Sequence, residues 1–307
     1  MEQDGEAYSV NITSQCRKRT NLTAMQIEHL KRIEISLPFV ADLAHAYLYL
    51  YVQTKEPGKM LVLKHYRPHT FFSEVELTGE GAFVSTLEEP LIAAAFAKGK
   101  FIQGQREWRF GINLEMYVQP IKCGNDVIGV VSLETGHSYA NSSNYHQLMD
   151  TALYLLDYAK KPLDKDEFHP MSPGTGIIIA DSNNRIVFAN LSANRIYRAL
   201  GIASLVGCRM QDRELSAMLH KETIDSSRPY EREIQIRDFV LVQRDIKLEE
   251  AGMLKRRIML LSDVSELRKK EREIKIKSAV IQEIHHRVKN NLQTIASLLR
   301  LQARRSK

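Results

Sequence analysis

The segment EIHHRVKNNL, which begins at Glu283, places two histidines beside a carboxylate, an amide and basic side chains. On a helix, residues three or four positions apart share a face, so Glu283 and Asn290 lie on the side of His286. A carboxylate can accept the ring proton of an imidazole and leave its other nitrogen nucleophilic. Arg287 and Lys289 add positive charge that attracts a phosphate. These residues could therefore perform the transfer of a phosphoryl group to a histidine.

A seven-residue apolar repeat distinguishes the two histidines. Such a repeat is typical of a helix that pairs with another helix, most simply a second copy of the same chain. One column of the repeat is apolar throughout, and it consists of Leu267, Ile274, Ile281, Val288 and Ile295. The other column is interrupted by Glu271, Ser278 and His285. His285 thus faces the partner helix, whereas His286 lies about 100° further round and is exposed. We predict His286 as the phosphoacceptor, supported by Glu283 and Asn290.

The elements upstream predict an α+β protein with two sensor-type domains, each an antiparallel sheet with flanking helices, and a long C-terminal helix. The hairpins are recognised from apolar runs such as MYVQPIKC and VIGVVSLETG, separated by the turn residues Gly-Asn-Asp. The predicted segments are an extension over 1–20, a first domain over 21–160, a linker over 161–171, a second domain over 172–263, and the helix over 264–307.

The first domain offers a weaker candidate site around its single tryptophan, Trp108. Trp108 could line a ligand pocket or belong to the core, and Arg106 and Glu115 could bind a polar ligand. His65 and His69 are four residues apart, but the intervening proline breaks a helix that would place them on one face. We therefore predict no metal site.

Composition and charge restrict the classes of function. The net charge is +6, yet the segment 255–307 holds 15 basic and 5 acidic residues, so the remainder is slightly acidic. No apolar run approaches the roughly 18 residues of a membrane span, and the N-terminus lacks the regions of a signal peptide. We expect a cytoplasmic protein with no membrane association.

Two alternative functions use the basic C-terminal helix. The first is a ligand-responsive nucleic-acid-binding protein, because RKKEREIKIK followed by heptads is similar to a basic leucine zipper. However, the heptads already run through this stretch and Glu271 and Glu273 interrupt it, so we expect no direct nucleic-acid binding. The second is a scaffold with a degenerate phosphoacceptor, against which the intact His286 and Asn290 argue.

The segment EIHHRVKNNLQTIASLLRLQ resembles the phosphoacceptor box of sensor histidine kinases, in the subfamily with His-Arg-Val-Lys-Asn-Asn-Leu-Gln. In that family the histidine directly before the arginine takes the phosphate, which corresponds to His286. The more common box has an acidic residue after the histidine and a proline shortly afterwards. Here Arg287 follows and no proline appears, which is a mark of the subfamily.

The upstream segments also resemble this subfamily, in which a GAF-related sensor domain and a PAS domain precede the box. DVIGVVSLETG is similar to a GAF strand. Two strands, short helices and three further strands over about 172–268 follow the order of a PAS domain, and LLSDVSELRKKE resembles its exit into a signalling helix. The resemblance implies that a ligand of either domain controls phosphorylation of His286.

The resemblance further implies ATP as phosphoryl donor, a homodimer, and a cognate response regulator, which in this subfamily is often an RNA-binding antiterminator. Amines, cyclic nucleotides and redox signals are all ligands within the family's range. The sequence has neither the motifs of the family's ATP-binding domain nor G-x-x-x-x-G-K-[ST]. We therefore expect that this chain is a truncated part of a kinase and neither binds ATP nor phosphorylates itself.

Overall fold

In a computed structural model, the described residues form two six-stranded antiparallel sheets with flanking helices and a long C-terminal helix. The predicted α+β class is confirmed. The structure describes residues 11–70, 78–109, 111–136, 145–158, 168–212, 223–225, 231–236 and 238–305.

The first half of the chain contains the first sheet and five helices of the described residues. Its helices are α1 (Ile12–Arg19), α2 (Ala24–Glu34), α3 (Leu37–Ala44), α4 (Pro90–Lys98) and α5 (Tyr145–Tyr158). Its strands are β1 (Tyr47–Gln53), β2 (Lys59–Tyr66), β3 (Phe83–Ser85), β4 (Ile102–Arg109), β5 (Ile112–Cys123) and β6 (Asp126–Gly136). The strand order across the sheet is β3-β2-β1-β6-β5-β4.

Local sequence explains these elements. Thr23 and Gln26 form a reciprocal capping box at the start of α2. The helical stretch is divided into α2 and α3 near Ser36, next to a proline in the first turn of α3. Gly99 ends α4 with a left-handed backbone conformation. The predicted hairpin β5–β6 is present and β1–β2 forms another, whereas strand β4 was not predicted.

The second half of the chain contains the second sheet. Its described elements are β7 (Gly176–Ala180), β8 (Ile186–Ala189), α6 (Leu191–Ala199), β9 (Thr223–Asp225), β10 (Glu231–Ile236), β11 (Phe239–Glu250), β12 (Met253–Asp263) and α7 (Ser265–Arg305). The strand order β8-β7-β12-β11-β10-β9 places the first hairpin beside the last strand. A Cβ at Gly176 would lie 3.0 Å from the Ala193 backbone, so glycine lets α6 approach β7 closely.

The second sheet is covered on both faces. Ile178 and Met259 point into a core beneath α6. Ile179 and Ile258 point to the opposite face and join a core shared with the helices of the first domain. The two sheets therefore do not belong to separately packed units.

Helix α7 begins directly after β12. Asp263 accepts hydrogen bonds from the backbone N–H and the hydroxyl of Ser265, which fixes the start of the helix. From residue 272 to residue 297 every side chain is exposed. Among the described residues, no helix is both long and apolar enough to cross a membrane.

Candidate functional site

His286 lies in the exposed part of α7, 21 residues after the helix begins at Ser265. His285, Glu283 and Asn290 are exposed as well, so the helix presents all the predicted phosphotransfer side chains to solvent. An approaching phosphate can reach His286 without displacement of other residues of the described chain. The choice between the two histidines stays a prediction, since both are accessible in a single helix.

Glu283 is hydrogen-bonded to Arg287 rather than to His286, its predicted partner. Its Oε1 accepts a hydrogen bond from Arg287 Nε at 2.7 Å, one helical turn further on. The side chains are 76% exposed for Arg287 and 60% for Glu283, so water screens this ion pair strongly. Glu283 can therefore exchange between Arg287 and a neighbouring imidazole at low cost, and its supporting role stays a prediction.

The predicted apolar column of α7 is open to solvent along its length. Its members are between 49% and 63% exposed, and they are Leu267, Ile274, Ile281, Val288 and Ile295. A row of this kind on one helix is characteristic of an association surface.

Arg106 occupies a buried ion network on the face of the first sheet that α4 covers. Its Nη1 donates to Glu89 Oε1 at 2.5 Å, and its Nη2 donates to Glu134 Oε2. Glu89 immediately precedes α4, whereas Glu134 lies on the central strand β6 and is also bonded by the Ser132 hydroxyl at 3.1 Å. Arg106 thereby ties the beginning of α4 to the middle of the sheet.

The network shares its face with tyrosines of β1 and contains more negative than positive side chains. Tyr49 lies opposite Ser132 in the β1–β6 ladder, and burial raises its pKa above the ordinary value. Burial also raises the pKa of Glu134 to about 7, although Arg106 nearby opposes the change. The pKa of Glu89 is raised for the same reason. The site can therefore gain a proton near neutral pH.

Glu115 and Arg106 do not come together. Arg106 is paired with Leu114, and Gln105 with Glu115, so strand alternation puts the two charged side chains on opposite faces of the sheet. Glu115 accepts a hydrogen bond from Gln105 Nε2 at 2.6 Å. Trp108 belongs to β4, but its side chain lies outside the described part of the chain.

Glu89 and Glu134 are site residues that sequence reasoning missed. Glu134 is the one acidic residue inside the apolar run VIGVVSLETG, and a buried carboxylate in such a strand requires a partner. That signal could have identified Glu134. Its pairing with Arg106 depends on the unpredicted strand β4.

Metal binding finds no support within the described ranges, where no group of three or more His, Cys, Asp or Glu residues could hold an ion. His69 lies against Asp42, and His65 lies near the ring of Tyr49.

Two protein-family models match the chain. Residues 12–152 match the GAF domain of histidine kinase PdtaS. Residues 283–307 match the histidine kinase model HisKA_2, so that the match begins at Glu283 and includes His286.

Curated relatives extend the similarity over most of the chain. The chain is 26% identical to the sensor histidine kinase PdtaS of Mycobacterium tuberculosis over 317 aligned positions, which cover 94% of this chain and 63% of that protein. PdtaS of Mycolicibacterium smegmatis is also 26% identical, with 94% and 62% covered. The chain thus spans less than two thirds of the length of these relatives.

A solved structure described as the sensor region of a sensor histidine kinase has the same fold. It superimposes with a TM-score of 0.54 at 18% identity and covers 84% of this chain and 99% of its own. The predicted resemblance to sensor histidine kinases is confirmed, with a GAF domain upstream and a histidine kinase segment at the end of the described helix.

Proposed function

From this homology to sensor histidine kinases, we propose that the chain is the sensory and phosphoacceptor part of a two-component kinase. His286 receives a phosphoryl group from ATP and passes it to an aspartate of a response regulator. The observation that carries the proposal is the histidine kinase match that begins at Glu283, in which His286 is exposed on α7. The proposed location is the cytoplasm, where ATP and response regulators are found.

The chemistry requires a neutral imidazole with one free nitrogen. That nitrogen of His286 attacks the γ-phosphorus, the bond to the bridging oxygen breaks, and ADP leaves with the electron pair. A proton on the other ring nitrogen is accepted by a carboxylate, for which Glu283 is the nearest candidate along the helix. Arg287 and Asn290 then contact the phosphoryl oxygens. ATP itself is held by a nucleotide-binding domain, so this chain contributes the acceptor and its control.

Association of two chains through α7 is the second part of the proposal. Each apolar side chain of the exposed column that becomes buried contributes roughly 1.5–3 kcal/mol. The interruptions at Glu271, Ser278 and His285 keep the pairing weak enough for a ligand to change it. The response regulator then meets His286 on the outer surface of the pair.

Ligand control is assigned to the first or the second domain. Arg106 and its carboxylates link α4 to the sheet, and a polar ligand that competes for Arg106 would release that link. Which ligand binds is addressed by a thermal-shift screen of small metabolites, because a ligand of the folded state raises its stability.

Radiolabelled ATP tests the central proposal. The chain alone should take up no label, and it should take up acid-labile label when a nucleotide-binding domain of this kinase class is added. Label on serine or threonine, or uptake that persists without His286, would refute the proposal.

A further inference from the structure

Residues 168–171 form a short connection between the two domains, which we call the strap. Phe168 and Met171 are buried, and both contact helix α3 of the first domain. The ring of Phe168 lies edge-on to Phe39 with centroids 5.6 Å apart. The N–H of Met171 donates to Asp42 Oδ2 at 2.7 Å. The strap is therefore fastened to the GAF domain by one aromatic contact and one buried carboxylate.

Asp42 joins the strap to a second segment of the GAF domain. Its other oxygen, Oδ1, accepts the backbone N–H of His69 at 2.5 Å, three residues beyond the end of β2. The imidazole Nδ1 of His69 lies 3.3 Å from each oxygen as well. Asp42 has no solvent exposure, so its carboxylate depends on these protein donors. A carboxylate accepts at both oxygens, whereas the amide of asparagine accepts at one. The side chain at position 42 thus couples the position of the β2 end to that of the strap.

On its other side, the strap is fastened to the second sheet by His169. Arg244 of β11 donates to the His169 carbonyl oxygen at 3.0 Å and contacts its Nδ1 at 2.7 Å. Because Nδ1 accepts from the guanidinium, the ring proton is on Nε2, which lies 3.2 Å from Glu231 Oε1. Arg244 is 5% exposed, and its guanidinium also lies over the ring of Phe39.

The strands that hold the strap also hold helix α7. Glu231 and Glu233 are two residues apart on β10 and share one face of the sheet. Glu233 accepts hydrogen bonds from Arg268 Nε and Nη2, one turn into α7. The N–H of Val240 on β11 donates to the hydroxyl of Ser265 at 2.8 Å. Strands β10 and β11 therefore contact the strap at one point and the beginning of α7 at another.

Two cavities border the middle of the strap. One of about 530 Å³ is also lined by residues of α2 and the first turn of α3, and one of about 180 Å³ is also lined by residues of the second sheet. The smaller cavity extends to Val264, the residue before α7. His169 and Pro170 line both cavities, whereas Phe168 and Met171 at the two ends of the strap are packed in the core.

We propose that Asp42 and Arg244 are positioning residues that couple the GAF domain to α7 through the strap and strands β10 and β11. This route follows the face of the second sheet opposite α6 and avoids the core beneath α6. The consequence for phosphorylation of His286 rests on the proposed function. The coupling itself is a property of this chain and can be measured without ATP.

Hydrogen exchange in a double-mutant design tests the coupling. In the otherwise unchanged chain, Asp42→Asn should raise exchange of the Met171 amide, and also exchange of residues 263–270 by about two- to thirtyfold. In an Arg244→Met background, Asp42→Asn should still raise exchange at Met171 but should no longer change residues 263–270. Arg244→Lys, which keeps the charge but not the planar fork, serves the same purpose if the methionine variant does not fold.

Arg257→Met is the matched control. Arg257 is an ion-paired arginine on the neighbouring strand β12, 2.8 Å from Asp245, and its replacement should leave exchange of the strap unchanged. Exchange of β1 reports whether the first sheet stays intact. An equal rise at 263–270 in both backgrounds, or no rise in either, would overturn the coupling. Phosphorylation of His286 alongside such a result would leave the proposed function standing.

Discussion

The Glu283 carboxylate and the Arg287 guanidinium are joined by a 2.7 Å hydrogen bond, one helical turn apart and on either side of His286 in the sequence. An exposed pair at this spacing contributes only about 0.3–0.5 kcal/mol. Glu283 can therefore exchange its hydrogen bond with Arg287 for one with the imidazole of His286 at little cost. Arg287 is correspondingly available for a phosphate.

Replacement of Glu283 tests whether this residue acts as the acceptor of the imidazole proton or only as the ion-pair partner of Arg287. If Glu283 accepts the imidazole proton, Glu283→Gln should lower the rate of His286 phosphorylation by about a hundredfold, which is in the range of general-base catalysis. Arg287→Gln should have a smaller effect. Glu273→Gln, at an exposed position of the same helix, is the control and should change nothing. Equal losses in the Glu283 and Arg287 variants would instead assign the effect to their ion pair.

The adjacent histidines give a second prediction. With a nucleotide-binding domain supplied, His286→Gln should abolish phosphate incorporation because the other histidine of the segment, His285, lies about 100° away on the helix. His285→Gln should reduce incorporation only partly, since that residue belongs to the column that faces the partner helix. The measurement is radiolabel retained on the chain after alkaline treatment. Label that survives in the first variant and disappears in the second would reverse the assignment.

Periodicity allowed much of the fold to be predicted, because alternation and turn residues are local signals. The hairpins β1–β2, β5–β6 and β7–β8 and the end of α4 at Gly99 follow from such signals. Strand β4 was missed because QGQREWR is polar and lacks an apolar alternation. That strand carries Arg106, so the ion network with Glu89 and Glu134 could not be assembled from sequence.

The relation between the two domains was equally beyond local reasoning. Phe168 and Met171 fall in a segment that proline and charge mark as a linker, yet they are buried. They are buried in a core that also contains residues of α3 and of strands β11 and β12, which are far away in the sequence. The exposed chemistry of α7 could be predicted because a single helix brings its residues together through local spacing alone.

Glu134 gives a prediction about pH. Its pKa in the folded protein, about 7, is higher than the ordinary value, so the folded state binds this proton more tightly than the unfolded state. Its contribution to stability is complete below about pH 4.5 and is lost as the pH rises through 7. The unfolding temperature of the wild type should therefore fall relative to that of Glu134→Gln between pH 5 and pH 8.

The comparison with Glu134→Gln is needed because another buried group acts in the opposite direction. Burial lowers the pKa of His45 to about 4, so its contribution to stability is lost as the pH falls from 6.5 to 4. The contribution of His45 is the same in the wild type and in Glu134→Gln, so it cancels in the difference between their unfolding temperatures. Glu115→Gln, on the opposite face of the sheet, is the control because it keeps Glu134, and its unfolding temperature should likewise fall relative to that of Glu134→Gln. A Glu134→Gln profile parallel to that of the wild type would contradict the assignment.

The apolar column of α7 gives the last prediction. Ile281 and Val288 are 55% and 49% exposed in a single chain, and burial against a second helix would remove most of that area from water. Ile281→Asp combined with Val288→Asp places two charges in the proposed seam and should give a monomer. Because neither residue contacts the described cores, both sheets should remain folded, as circular dichroism would report.

The control is Gln282→Asp with Lys289→Asp, at the same spacing but one position further along the helix, and this variant should remain dimeric. Sedimentation at tens of micromolar measures the outcome. An unmodified chain that is monomeric at this concentration would remove the proposed pairing, and a double variant that stays dimeric would move the interface to the sensory domains.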